Sequence, residues 1–134
     1  MTEVGQPTWC PAITSLQAVV GGKWKIEILF YVAIEDVHRF GQLRRCMRNE
    51  VSESTLAKQL KELVEDDFLT RVDYAEVPPR VEYYLTDRGV RFKPILQAMW
   101  DWSEAEFPFT EAEKAQMTAY RKKLAMLEAR RENA

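Results

Sequence analysis

The chain has 134 residues, of which 46% are hydrophobic and 30% charged, and its formal net charge is -2. This size and composition predict one soluble globular domain with a terminal extension, and no segment approaches the ~18 apolar residues of a membrane span. The net charge argues against a bulk nucleic-acid binder. Because the first residues lack the basic start and apolar core of a signal peptide, we expect a cytoplasmic protein with no membrane partner.

The residues that usually build catalytic centres are scarce. Two cysteines, Cys10 and Cys46, fit a reduced compartment better than a disulfide framework. A single histidine, His38, is too few for a histidine-built metal site or a Ser/His/Asp triad. The chain also lacks a phosphate loop and clustered metal ligands. We therefore predict that it is not an enzyme, with no catalytic residues, no metal and no cofactor.

The N-terminal part predicts a flexible arm and two helices. Residues 1–9 show no periodicity and form the arm. Pro11 suits a first helical turn, and Gly21-Gly22 ends that helix. Lys23-Trp24-Lys25 opens the second helix, and residues 35–38 form the turn that follows it. Helical spacing relates the apolar residues of the first helix, which are Ile13, Leu16, Val19 and Val20.

The middle of the chain reads as two short helices separated by a tight turn. They occupy residues 40–47 and 53–66, with Ser52 as the N-cap of the second. Leu56, Leu60 and Leu63 share the face of that helix that would enter a core. The other face carries short polar and long cationic side chains that suit base edges and phosphates. Alone, such a helix could be an ordinary surface helix, but helix, turn and helix together form a helix-turn-helix.

A β-hairpin follows and completes a winged helix-turn-helix. Val72 and Tyr74 alternate with Arg71 and Asp73 in a strand predicted over residues 70–75, and a second strand covers 81–85. The Pro-rich residues 76–80 cannot pair and form the tip of the wing. We therefore predict a mainly α fold with a small β-hairpin.

The C-terminal part predicts two long helices. The first is capped at Thr86-Asp87, contains Pro94 and ends near residue 107, with one apolar stripe comprising Phe92, Ile95, Leu96, Met99, Trp102 and Ser103. A capping box at Thr110 to Glu113 begins the second. Its heptad-spaced apolar residues are Met117, Tyr120, Leu124 and Leu127. We predict a 10–107 DNA-binding domain and a 108–134 helical extension, with the terminal helices forming a dimer.

Several segments together resemble the HxlR family of bacterial winged-helix transcription regulators, relatives of the MarR-like regulators. The most specific are Gly21-Gly22-Lys23-Trp24 and, further along, Val77-Pro78-Pro79-Arg80-Val81-Glu82-Tyr83. The resemblance spans about residues 10 to 107 and implies a homodimer that binds an operator through its recognition helices and wings. The acidic Glu50 in the turn departs from the pattern, and the family says little about residues 110–134.

Two sets of side chains are predicted to touch double-stranded DNA. The base-reading candidates are Ser54, Thr55, Lys58 and Gln59. The candidates for phosphate or minor-groove contact are Arg80, Lys23, Lys25, Arg44, Arg45, Arg48 and Lys61. Each has an ordinary surface role as the alternative. For Arg80 the alternative is a salt bridge to Glu76 or Glu82.

The signal that such a regulator would sense is less defined by the sequence. Cys10 precedes a helix start, where the helix dipole favours a thiolate, and in some members of the resembling family a cysteine at this place senses oxidants or electrophiles. A partly buried structural cysteine is the alternative. A small effector could instead bind among aromatic side chains, which are Trp24, Trp100, Trp102, Phe92, Phe107 and Phe109. Aromatic residues of this kind more often form a core or a dimer interface.

The leading hypothesis is a sequence-specific regulator that binds a palindromic operator as a homodimer. The alternative is a winged-helix module that binds other proteins and not DNA. Glu50, Glu53 and Glu62 near the reading face leave room for that alternative.

Overall fold

The structure, a computed structural model, describes residues 9–132 apart from the side chains at positions 124, 127, 128, 131 and 132. It contains six helices and a two-stranded antiparallel hairpin within the described residues. In chain order the elements are α1 (Pro11–Val20), α2 (Lys25–Ala33), α3 (Phe40–Cys46), α4 (Glu53–Glu65), β1 (Leu69–Asp73), β2 (Val81–Leu85), α5 (Asp87–Glu106) and α6 (Glu111–Glu132). The predicted winged helix-turn-helix fold is confirmed. The predicted arm falls almost wholly on residues outside the described range.

One core joins α2, the helix-turn-helix and the hairpin. Leu56, Leu60 and Leu63 of α4 are fully buried, as the spacing predicted. They pack with Ile28 and Leu29 of α2 in a single apolar cluster. Burying this much apolar surface is the main stabilising contribution to the domain, and it leaves the opposite face of α4 in solvent.

Side-chain caps begin three of the helices at the residues that the sequence indicated. Ser52 accepts a hydrogen bond from the backbone N–H of Thr55 at 3.1 Å. Thr86 accepts one from Gly89 at the start of α5. At α6, Thr110 and Glu113 exchange hydrogen bonds as a capping box. Each cap satisfies an N–H group that has no partner within its helix.

The hairpin differs from prediction at its first strand, which runs Leu69–Asp73 and does not extend to residue 75. Ala75 has a φ of 52° and donates its N–H to the Asp73 carboxylate, so a local turn ends the strand. The hairpin is anchored at its other side by His38, whose backbone oxygen accepts from the Tyr83 N–H and whose Nδ1 donates to the Tyr83 carbonyl oxygen. The wing is thereby joined to the turn between α2 and α3.

Two helices carry apolar side chains that the core does not cover. In α5, Phe92 and Leu96 are buried, but Ile95 and Trp102 are exposed, so only part of the predicted apolar stripe packs against the core. In α1 only Val20 is buried, and Leu16 is exposed. These apolar side chains face solvent in the single chain.

The last helix packs back against its own chain. Tyr120 lies edge-on to Phe30 of α2 and to Trp100 of α5. Lys123 pairs at 3.1 Å with Glu35, a buried carboxylate in the turn after α2. The predicted heptad residues Leu124 and Leu127 have side chains outside the described set.

Candidate nucleic-acid interface

The turn before α4 explains how the helix is presented. Arg48 and Asn49 both adopt the left-handed conformation, with φ values of 58° and 55°. This reverses the chain within a few residues. The Arg44 side chain donates to the Val51 carbonyl oxygen at 2.9 Å, and Val51 itself is buried. The Arg44 hydrogen bond and the burial of Val51 therefore fix the turn, and the polar face of α4 points outward.

The four base-reading candidates do not occupy equivalent places on α4. Ser54 and Lys58 are exposed on the face opposite the buried leucines. Thr55 is half-buried, and its hydroxyl oxygen accepts a hydrogen bond from the Ser52 hydroxyl at 2.9 Å, so it takes part in the helix cap. Gln59 is half-buried on the edge of the core face. The open polar face thus presents Ser54 and Lys58 most directly.

The seven phosphate candidates fall into two groups. Lys23, Arg45 and Lys61 are exposed and form no ion pair within the described part of the chain. The other four already have acidic partners, namely Lys25 with Glu62, Arg44 with Glu53, Arg48 with Glu50, and Arg80 with Glu76 and Glu82. Lys25 is also buried, which removes it from any surface that DNA could reach.

Arg80 is clamped at the base of the wing tip. Its guanidinium lies over the Tyr74 ring at 3.6 Å, with Glu76 at 3.5 Å and Glu82 at 3.6 Å. Both salt bridges that the sequence offered as the alternative are therefore present. The neighbouring Tyr84 also interacts with Tyr74. Its hydrogen bond to Tyr74 and its partial burial raise the pKa of Tyr84 to about 12, so the Tyr84 phenol is neutral at physiological pH. Val77, in the tip between the two strands, is 98% exposed.

The fold brings together two exposed arginines that are not among the predicted DNA contacts. Arg39, just before α3, and Arg71, in β1, both line a cavity of about 330 Å³ between the helix-turn-helix and the wing. The strand pattern placed Arg71 among the polar residues of β1 but could not say which element it would face. His38 was likewise assigned only to a turn, whereas it anchors the wing and stacks on Tyr84.

The two cysteines lie in different environments. Cys10 is exposed and precedes α1, with no side-chain cap hydrogen bond. Cys46, the last residue of α3, is half-buried, and burial together with the Glu35 carboxylate raises the pKa of its thiol. Cys46 is therefore mostly protonated at neutral pH.

A groove of about 650 Å³ lies between α2, α5 and the start of α6. Of the aromatic residues predicted to form an effector pocket, Trp100 and Phe109 line it, and Phe30 joins them. Trp24, Trp102, Phe92 and Phe107 do not line this groove. Glu104 at its edge accepts hydrogen bonds from Arg121 and Trp100, and these hold the pKa of its carboxyl below the usual range.

The described residues contain neither a metal-binding group nor a membrane-spanning helix. Between residues 9 and 132 no three His, Cys, Asp or Glu side chains are grouped so that they could hold a metal ion. None of the helices in that range has the length and apolar character needed to cross a membrane.

The chain is similar to known regulators of transcription. The family model of the HxlR-like helix-turn-helix matches residues 19–111. An HTH-type transcriptional regulator named YybR from Bacillus subtilis (strain 168) is 42% identical over 96 residues, which are 72% of this chain and 74% of that protein. The redox regulator HypR in its oxidized form has a similar structure, with a TM-score of 0.65 and 39% identity over 75% of this chain and 100% of that chain. The reduced form of the transcriptional regulator YodB from B. subtilis gives a TM-score of 0.59 at 26% identity, covering 74% of this chain and 95% of that one.

Proposed function

Because this chain belongs to the family of HxlR-like helix-turn-helix transcriptional regulators, we propose that it binds a palindromic DNA operator as a homodimer and so regulates transcription in the cytoplasm. The observation that carries the proposal is the capped helix α4, which buries three leucines and holds its polar face outward beside the wing. A helix presented in this way can enter the major groove.

In this proposal the side chains divide by their accessibility. Ser54 and Lys58 read base edges in the major groove, with Thr55 and Gln59 at the margins of the reading face. Lys23, Arg45 and Lys61 contact phosphates, since their charges are not already neutralised by a described acid. Arg44, Arg48 and Arg80 reach DNA only if they leave their present carboxylate partners, and Arg80 would do so into the minor groove.

Exposed apolar side chains support the homodimer. Ile13 and Leu16 of α1 and Ile95 and Trp102 of α5 are all more than one-third exposed, and apolar helix faces of this kind are usually buried in an interface. In such a dimer, two α4 helices about 34–36 Å apart would read half-sites one helical turn apart. We assign residues 10–107 to the DNA-binding domain and the extension 108–134 to added dimer surface.

The signal is proposed to be chemical modification of Cys10. Two similar structures are those of the redox regulator HypR and of YodB in its reduced form. Cys10 is the exposed thiol of this chain, and an adduct or an intersubunit disulfide there would alter the dimer only by its different energy in the two geometries. The groove beside Trp100 is the alternative place for a small effector.

The decisive experiment selects the sequences that the protein binds from a random duplex pool. The affinity for the best-bound duplex is then measured as the salt concentration is raised. We expect a palindrome bound in the nanomolar range, with affinity falling steeply as salt rises. Lys58→Ala should change which bases are preferred, whereas Lys122→Ala, an exposed lysine on α6, should not.

Two outcomes would contradict the proposal. If no sequence is enriched and binding does not depend on salt, the chain is a winged-helix module for protein partners, a possibility that the acidic partners of Arg44 and Arg48 also fit. If Lys58→Ala leaves sequence preference unchanged, the reading face is assigned wrongly.

A further inference from the structure

The cavity between the helix-turn-helix and the wing has a distinctive lining. Two arginines and the small residues Gly41 and Ala57 border it, with apolar and aromatic side chains behind them. Ala57 lies on α4 and Gly41 on α3, so the cavity opens beside the proposed reading helix. The full lining consists of Arg39, Phe40, Gly41, Ala57, Arg71, Pro79, Val81 and Tyr83.

The register of the wing explains why a cation lines this cavity. Arg71 pairs with Tyr83 across the hairpin, and paired residues of antiparallel strands lie on the same face of the sheet. Tyr83 is buried. Arg71 is thus on the face of the wing turned toward the helices, just beyond the core, and not on its outer face.

The charges at this place are largely uncompensated. No carboxylate lines the cavity. Arg39 forms no ion pair with any residue in the described range, and Arg71 has only Asp73, at 3.9 Å, with both side chains about half exposed. An exposed pair at that distance contributes little. Arg80, in contrast, is paired with two glutamates. The positive charge that is least neutralised by carboxylates near the wing is therefore that of Arg39 and Arg71.

A second cavity extends the same feature along α3. It measures about 300 Å³ and is lined by Arg39, Gly41, Gln42 and Arg45. Arg39 and Gly41 border both cavities, so Arg71, Arg39 and Arg45 follow one another from the wing to the helix-turn-helix. A row of cations beside a reading helix matches the path of a nucleic-acid backbone.

We propose that Arg39 and Arg71 together bind one phosphate of the DNA backbone in the cavity between α3, α4 and the wing, as a clamp that fixes how α4 enters the groove. The proposal rests on the proposed function, since it assumes that DNA is the partner. Guanidinium groups suit this task because their N–H donors match phosphate oxygens in pairs. Gly41 and Ala57 leave the space into which the phosphodiester fits.

The test measures the slope of log affinity against log salt for Arg39→Gln, Arg71→Gln and the double variant, on the selected operator and on an unrelated duplex. Each single substitution should lower the slope by about one and weaken both duplexes to a similar extent. Arg91→Gln, an exposed arginine on α5 outside the cavity, is the matched control and should leave the slope unchanged.

A second variant tests the space and leaves the charges in place. A Cβ at Gly41 would meet no atom within 4 Å, so Gly41→Leu should fold normally while filling the cavity, and it should weaken DNA binding several-fold. Unchanged affinity with Gly41→Leu would count against the site. At equal ionic strength, inorganic phosphate should displace DNA no better than chloride does. If phosphate displaces DNA strongly from the unmodified protein but not from the double variant, the cavity binds a free anion instead.

The outcomes separate this site from the proposed function. A steep salt dependence in the unmodified protein, with slopes unaltered by both arginine substitutions, overturns the clamp alone. A flat dependence in the unmodified protein overturns the proposed function and the clamp with it.

Discussion

Lys25 on α2 places its ammonium nitrogen 3.5 Å from a carboxylate oxygen of Glu62 on α4. Only 9% of the lysine side chain is exposed, whereas 35% of the glutamate side chain is. The pair therefore joins the helix that begins the core to the proposed reading helix. Because Lys25 is buried in this pair, it does not contribute to the proposed DNA-binding surface, although it lies in the basic segment Lys23-Trp24-Lys25.

Removing the acidic partner should destabilise the protein. Glu62→Gln leaves the Lys25 ammonium buried without a counter-charge, and we expect the free energy of unfolding in urea to fall by about 1–2 kcal/mol, less than for a fully buried pair because Glu62 is partly hydrated. Glu65→Gln, an exposed acid on the same helix, is the control. Equal unfolding free energies for the two variants would show that the pair contributes nothing.

The cap at the start of α5 should contribute more to stability than the cap at the start of α6. Thr86 accepts from Gly89 N–H and donates to the Asp67 carbonyl oxygen, so it also joins the helix to the segment before β1. Thr86→Ala should lower the unfolding free energy by about 1–2 kcal/mol. Thr110→Ala, which removes an exposed cap hydrogen bond, should cost less in the same denaturation experiment. The reverse order would contradict the assignment.

The contact between α5 and α6 should weaken in acid. Hydrogen bonds from the Arg121 guanidinium and the Trp100 indole hold the pKa of Glu104 below its ordinary value. A lowered carboxyl pKa stabilises the folded state above the unfolded value of about 4.3, and this contribution is lost as pH falls through the folded pKa. Thermal unfolding followed from pH 7 to pH 3 should therefore show a steeper acid loss in the unmodified protein than in Glu104→Gln. Glu111→Gln, whose carboxylate contacts only Lys114 among the described side chains, should keep the steep profile.

The two thiols should react at different rates with an electrophile. Burial and the nearby Glu35 carboxylate raise the pKa of Cys46, which lowers its thiolate fraction, while Cys10 is exposed. Alkylation by iodoacetamide at pH 7, followed by peptide mass spectrometry, should modify Cys10 roughly 10-fold faster. In urea-unfolded protein the two rates should converge. Faster modification of folded Cys46 would remove the basis for Cys10 as the sensor.

Local sequence signals predicted most of the fold because they act through the nearest residues. Ser52, Thr86 and Thr110 were identified as caps from their positions before apolar periodic segments, and each makes the expected hydrogen bond. The leucines of α4 were predicted from spacing alone and are fully buried. The end of β1 was placed too late, since the left-handed turn at Ala75 depends on a side-chain hydrogen bond that no periodicity reveals.

The proposed surface was less predictable because it depends on which charges neutralise one another. Lys25 looked like a surface cation in the sequence, yet it is buried beside Glu62, a residue 37 positions later. Arg80 was predicted to contact DNA from the wing tip, yet the alternative salt bridges to Glu76 and Glu82 form, and its guanidinium lies over the Tyr74 ring. Chain folding brings Glu62 to Lys25, whereas the sequence already placed both glutamates beside Arg80 but did not decide whether they pair with it.

The sequence by itself determined the order of the elements, the capped helix α4 with its buried leucine face, and the wing after it. These features follow from periodicity and capping, which are properties of a single segment. Only the tertiary structure decided that Arg71 pairs with Tyr83 on the inner face of the wing and lines one cavity with Arg39. That outcome depends on strand register and on the packing of the hairpin against α3 and α4. Both are set by long-range burial of apolar surface, and a strand shifted by one residue would turn Arg71 to the opposite face.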